Sequence, residues 1–289
     1  IDELCRHVER LHGCEGRVFV AMLGGGAGTL ASLGEIGLAT QAKLAARLGM
    51  GAMAVPARTI GDHLAEYVTL LGLLASTCSK IGHEIYTLMK QEFGEVEEPV
   101  PPGTVGSSTM PQKRNPKLSQ DIIAAAAQVR ALVPLALEAM QTEHEADRTT
   151  SLMMDRALAD ACGLTGDILQ RLIALLTGLQ VFPQRMRHNL DLSGGLIMAE
   201  ALMLELGRLI GRQRAHDVVY EAAQASVIQG HPFRETLAMD KQVTTHLTAE
   251  QIDTLLDPAR YTGLCRWFAE QGAARARQTA ATIEQQASR

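Results

Sequence analysis

From Arg58 to Glu92, apolar residues return every three or four positions with no proline among them: Leu64, Val68, Leu71, Leu74, Cys78, Ile81, Ile85 and Leu88. That period is one face of an α-helix. At 1.5 Å per residue the helix would run to roughly 50 Å, and a helix that long needs neighbours of similar length, as in a bundle. Lys117 to Met140 supplies one, with Ile122, Ile123, Ala126, Val129, Leu132 and Leu135 on its apolar side. Its alanines Ala124 to Ala127 predict close helix approach, and Pro134 is a candidate kink. Thr150 to Leu179 reads as a third long helix. Runs of β-branched and aromatic residues with two-residue alternation are absent, so a sheet is not expected. The chain reads as all-α.

After Phe182-Pro183 the texture changes to shorter helices, near 184–190, 196–210, 213–229, 249–256 and 263–286. They are separated by Ser193-Gly194-Gly195, Gly230-His231-Pro232 and Asp257-Pro258. The expected organisation is a central long-helix bundle over residues 1–182 and a smaller C-terminal helical domain over 183–289. Ile1 stands inside what reads as a helix continuing from Asp2 to Leu11, which points to an upstream portion. Gly24-Gly25-Gly26-Ala27-Gly28-Thr29 matches neither a phosphate loop nor a dinucleotide fingerprint, and no strand pattern precedes it. It reads as a helix connection.

Composition narrows the function. With 46% apolar and 20% charged residues over 289 positions, a large core is feasible. Aromatics at 3% and a net charge of −5 argue against nucleic-acid binding. Cys5, Cys14, Cys78, Cys162 and Cys265 are odd in number and scattered, as expected of reduced thiols in a cytoplasmic protein. Cys5, His7, His12 and Cys14 fit no common zinc spacing, so no metal is expected. No unbroken apolar run suggests a membrane span, and no signal peptide is visible.

Between the first two long helices, residues 93–116 form a connection rich in Gly and Pro. Such a connection in a compact protein is either functional or a solvated linker. Its last part, Gly106-Ser107-Ser108-Thr109-Met110-Pro111-Gln112-Lys113-Arg114-Asn115-Pro116, brings hydroxyls, cations and an amide to a helix N-terminus. Successive backbone N–H groups and the positive helix end suit negative charge. Lys113 can balance a carboxylate and Asn115 can donate to one oxygen. Removing a proton beside a carboxylate leaves two negative charges on few atoms, and preorganised donors are what make that species accessible. A serine can act as base only if the same donors hold its alkoxide. Pro116 is placed for the first turn of the following helix.

This segment resembles the signature of the fumarase/aspartase superfamily, GSSxMPxKxNP, with every fixed position filled. Leu23–Leu33 resembles that family's glycine-rich segment. Gly178–Glu200 resembles the start of the C-terminal domain in adenylosuccinate lyases and 3-carboxy-cis,cis-muconate cycloisomerases. The resemblance implies a homotetramer of long helices whose active sites are shared between subunits. It implies a small polycarboxylate substrate, with no metal or organic cofactor. By match to the motif, Ser107 is the catalytic base, Lys113 and Asn115 bind carboxylate, and Ser108, Thr109 and Met110 belong to the loop that closes over substrate.

Departures from the pattern are informative. Gln120 stands where many members carry a glutamate paired with the proton-donating histidine, and that histidine lies upstream of the residues present. Ala146 and Asp155 fall at or near positions where adenylosuccinate lyase has substrate-binding arginines, with Arg156 adjacent; lost arginines disfavour a phosphate-bearing substrate. His144 is either a proton shuttle or a solvated residue at a helix end. Asp62, His63 and Glu66 either reach a site or line the wet face of their helix, and Arg212, Arg214 and His216 read as a solvated helix start. The first expectation is a lyase or cycloisomerase resembling 3-carboxy-cis,cis-muconate cycloisomerase. A fumarate-releasing C–N lyase is the alternative, and a non-catalytic helical scaffold is the third reading.

Overall fold

A computed structural model of the chain describes residues 1–100, 110 and 113–287. Helices account for 72% and strands for 3% of it, so the all-α expectation holds. The helices are α1 (Asp2–Val18), α2 (Gly37–Leu48), α3 (Asp62–Leu88), α4 (Lys117–Glu138), α5 (Arg148–Gly178), α6 (Pro183–Asp191), α7 (Ala199–Ile210), α8 (Arg212–Gln229), α9 (Phe233–Met239), α10 (Lys241–Thr244), α11 (Ala249–Leu255) and α12 (Cys265–Ala287). Helix α2 is missing from the sequence reading, and so are the short α9 and α10. Three of the twelve residues of α2 are buried, too few to print a strong apolar stripe.

The strand content is small but real. β1 (Val20–Ala21) pairs in parallel with β2 (Gly51–Ala52), and β3 (Val96–Glu97) and β4 (Gln180–Val181) are equally short. Two residues are too few for alternation to show in a sequence.

The chain divides into two units. The first comprises 1–90, 96–180 and 275–289; the second comprises 91–95 and 181–274. In the first, α4 packs between α3 and α5, while α1 lies on α3. Val68, Leu71, Leu74, Cys78 and Ile85 of the α3 stripe are buried, as are Ile122, Ala126 and Val129 of α4. The close approach of these two helices rests on glycines of α3. A Cβ at Gly72 would lie 2.8 Å from Val133 Cγ2, and one at Gly82 would lie 3.3 Å from Ser119 O. Of the alanine run, Ala125 and Ala126 are buried while Ala124 and Ala127 are exposed. Pro134 lies inside α4.

Side chains cap three of the α-helices, α5, α10 and α11. Asp147 caps α5 by accepting from Thr149 N at 2.8 Å, and Thr248 with Gln251 forms a reciprocal capping box on α11. Gly49 ends α2 at φ +66°, the left-handed conformation that glycine reaches without steric cost. In the second unit, α7, α8, α9 and α11 share a core that includes Leu202, Leu206, Val218, Phe233, Leu237 and Ile252. There the Arg185 guanidinium donates to the carbonyls of Phe93 and Glu92, holding 91–95 against α6.

Among the described residues, α3 and α4 are long and apolar enough by length and composition to cross a membrane. No unbroken apolar run announces this, because small and polar residues interrupt both. Each buries its apolar face in the bundle with α5.

Candidate functional site

The signature loop meets α4 at its foot. Ser107, Ser108 and Thr109 lie outside the described residues. Met110, Lys113, Arg114 and Asn115 are described, and the backbone turns there: Lys113 N donates to Met110 O at 3.0 Å, and Lys117 N to Asn115 O at 2.9 Å. Lys113 is exposed and forms no ion pair among the described residues. Arg114 pairs with Glu97 at 3.5 Å. Pro116 is the N-cap residue of α4, one position before the first helical residue.

The N-terminus of α4 is already occupied. Glu98, only 3% exposed, accepts from Leu118 N at 2.8 Å, from Ser119 N at 3.2 Å and from Ser119 Oγ at 3.1 Å. Gln120 N donates to Pro116 O. The four leading N–H groups of α4 are therefore satisfied within the chain. An internal carboxylate thus takes the leading N–H groups at the helix end where the sequence reading expected substrate charge. Sequence reasoning passed over Glu98, which lies 20 residues before its nearest partner, a separation that no local pattern encodes.

A second feature lies at the other end of the bundle. A cleft of about 430 Å³ in the first unit is lined by residues of α1, β1, the 50–61 connection, α3 and the α4–α5 junction. Arg58, His63 and Asp155 are its charged or titratable residues; Thr142, Thr150 and Ser151 bring hydroxyls; Met22, Met50, Met53 and Met154 contribute apolar surface. The Thr142 and Thr150 hydroxyls are 2.9 Å apart. Since α4 has 22 residues, the cleft and the foot of the loop are separated by about 33 Å of helix.

The remaining candidates separate accordingly. Gln120 is exposed on the first turn of α4, whereas His144 lies beyond that helix's far end. His144 is exposed with φ +55°, a left-handed conformation uncommon for residues other than glycine, and it does not line the cleft. His63 lines it, Asp62 is exposed beside it, and Glu66 is bound by Arg17 at 2.5 Å. That guanidinium holds the Glu66 carboxyl below the ordinary carboxylate range. Arg156 pairs with Asp160 and does not line the cleft. Arg212, Arg214 and His216 are exposed on the first turns of α8; Arg214 donates to Gln242, and His216 stacks on Tyr220 with ring centres 6.3 Å apart. Among the described residues no group of three or more His, Cys, Asp or Glu is placed to hold a metal ion.

Residues 1–131 match the Lyase family model, and residues 195–271 match the model for the adenylosuccinate lyase C-terminus. The chain is 41% identical over 274 residues to the 3-carboxy-cis,cis-muconate cycloisomerase of Pseudomonas aeruginosa, covering 95% of this chain and 60% of that enzyme. The chain belongs to the fumarase/aspartase superfamily. A second superfamily relative, N-acetyl-S-(2-succino)cysteine lyase of Dickeya dadantii, is 37% identical over 263 residues, 91% of this chain and 58% of that enzyme. Among superfamily structures, the crystal structure of 3-carboxy-cis,cis-muconate lactonizing enzyme from Pseudomonas putida superposes with a TM-score of 0.88 at 35% identity, covering 96% of this chain and 61% of that one. The chain thus spans about 60% of the length of these relatives.

Proposed function

We propose that this chain serves a lyase or cycloisomerase of the 3-carboxy-cis,cis-muconate cycloisomerase type, acting on a small polycarboxylate. The observation that carries the reading is the foot of the signature loop, where Lys113 is an exposed cation that forms no ion pair among the described residues, two positions before Asn115 and just ahead of a helix start fixed by Glu98. In the elimination direction, the C–H bond beside a carboxylate breaks and its electron pair becomes the new C=C bond. The leaving group departs with its own bonding pair. Lactonisation of a muconate runs these steps in reverse. Ser107 takes the proton, Lys113 and Asn115 hold the carboxylate whose charge grows as the proton leaves, and Ser108, Thr109 and Met110 close over it.

The separation of the loop foot from the cleft along α4 supports a site assembled from several copies of the chain, in keeping with a homotetramer. The five scattered cysteines support a cytoplasmic setting. Incubation with 3-carboxy-cis,cis-muconate tests the reaction: lactone formation without fumarate is the expected result.

A second reading is a lyase that releases fumarate from an N- or S-substituted succinate. It is favoured by the match of 195–271 to the adenylosuccinate lyase C-terminus and by the 37% identical succinocysteine lyase. Growth of fumarate absorbance with such a substrate, and no lactone from muconate, selects it.

A further inference from the structure

We propose, on the lyase or cycloisomerase reading above, that Arg185 and Asn189 of α6 are positioning residues for the signature segment and act on it through residues 91–98.

Arg185 reaches back 92 positions to Phe93 and braces three consecutive carbonyls. Its Nε donates to Phe93 O at 2.7 Å, and one terminal nitrogen donates to Glu92 O at 2.9 Å and to Gln91 O at 3.3 Å. Asn189, one turn further along α6, gives both amide hydrogens to the same segment: one to Phe93 O at 2.9 Å and one to the Glu95 carboxylate at 2.7 Å. Its side-chain oxygen is buried with no hydrogen-bond partner among the described residues, so 91–95, and not α6, sets the orientation of this amide. Phe182 N adds a bond to Glu95 O at 2.9 Å. Capping the turn after α3 would need only the arginine; the further contacts fix the chain as far as Glu95.

The braced segment has no slack before the signature. Gly94 turns at φ +61°, a conformation glycine reaches without steric cost, and β3 then runs extended through Val96 and Glu97. The three steps from Glu95 to Glu98 cover about 10 Å of extended chain. Glu97 pairs with Arg114, inside the signature, at 3.5 Å. Glu98 takes the Leu118 and Ser119 amides at the start of α4. A shift at Glu95 is therefore passed on to Arg114 and to the first turn of α4. Misplacing a reacting group by about 1 Å can cost roughly 100-fold in rate.

Arg187 is the internal control. It lies on the same helix with the same charge, but its partners are Asp191 and Asp257.

The test combines steady-state kinetics with hydrogen exchange on the full chain, using 3-carboxy-cis,cis-muconate and an S-substituted succinate. Arg185→Gln and Asn189→Ala should each lower kcat about 10- to 100-fold with KM within about threefold of the wild type, since the substrate keeps its own contacts. Arg185→Lys, which keeps the charge and reaches fewer carbonyls, should fall between. In the first two variants the Leu118 and Ser119 amides should exchange about tenfold faster or more, while the amides of Val129 and Leu237, buried in the two units, keep wild-type rates. Arg187→Gln should match the wild type in both readouts, and where one of the two α6 variants fails to fold the other decides. Unchanged kcat, an equal loss in Arg187→Gln, or unchanged exchange at Leu118 and Ser119 overturns the assignment. Faster exchange there, in a protein whose wild type turns over neither substrate, would sink the lyase reading alone; wild-type turnover that neither α6 variant alters would sink the positioning role alone.

Discussion

Glu98 and Ser119 meet twice: one carboxylate oxygen accepts from the Ser119 amide at 3.2 Å and from its hydroxyl at 3.1 Å. The other oxygen takes Leu118 N, so a single buried side chain ties residue 98 to the start of α4 and closes the connection that carries the signature. Removing a charged acceptor leaves buried donors unpaired, at about 1.5–3 kcal/mol. Glu98→Ala should lose that much in urea unfolding, and Glu98→Gln, which keeps one acceptor oxygen, roughly half. A loss below about 0.5 kcal/mol in Glu98→Ala would show that the cap carries no weight.

Ser107 is proposed as the base, and alanine deletes its hydroxyl with little change in volume. Ser107→Ala should therefore abolish lactone or fumarate formation while far-ultraviolet dichroism and sedimentation stay as in the wild type. Lys113→Met should instead raise KM, since the substrate loses its charge partner, with a smaller effect on kcat wherever ground state and transition state share the contact. Turnover surviving in Ser107→Ala would take serine out of the base role.

These two sites were unequally legible in the sequence. The signature could be read because its chemistry is compressed into eleven consecutive positions, and the α3 and α4 stripes because period 3.6 is a local property. Helix α2 escaped because it buries only Gly37, Gln41 and Ala45. Glu98 escaped because its partners stand 20 and 21 residues away. Arg58 was read as the start of a helix that begins at Asp62; only the fold shows that it lines a cleft with Thr142 and Thr150, more than 80 positions downstream. The four-position step from Arg17 to Gly13 prints in the sequence, whereas the pairing of Arg17 with Glu66 does not.

The glycine-rich segment supplies a packing test. A methyl at Gly24 collides with a backbone oxygen of Pro56 and with the Gly28 Cα at 2.8 Å, and neither can swing aside as a side chain would. Gly24→Ala should destabilise by about 1–3 kcal/mol. Gly26 has nothing within 4 Å of its added Cβ, so Gly26→Ala should stay within about 0.5 kcal/mol of the wild type. Equal thermal midpoints for the two variants would contradict the close approach.

His7 gives the fold a dependence on mildly acidic pH. The ring is 6% exposed on α1, 2.9 Å from Thr77 Oγ1 of α3 and 3.3 Å from the Arg10 guanidinium. Burial first, and the Arg10 and Arg6 charges after it, hold its pKa below the ordinary 6.5, while Glu3 pulls the other way. Above 6.5 the ring is neutral folded and unfolded, and its protonation contributes nothing to stability. As pH falls through 6.5 the unfolded chain takes up a proton that the folded chain resists, so stability declines. The exposed pairs Asp2–Arg6 and Glu3–Lys80 have carboxyls held low by those cations, and their contribution fades only in the carboxylate range, near pH 4. Urea unfolding between pH 7.5 and about 5.5 should therefore show a decline that His7→Gln flattens; a variant that declines in parallel with the wild type would assign the slope to other groups.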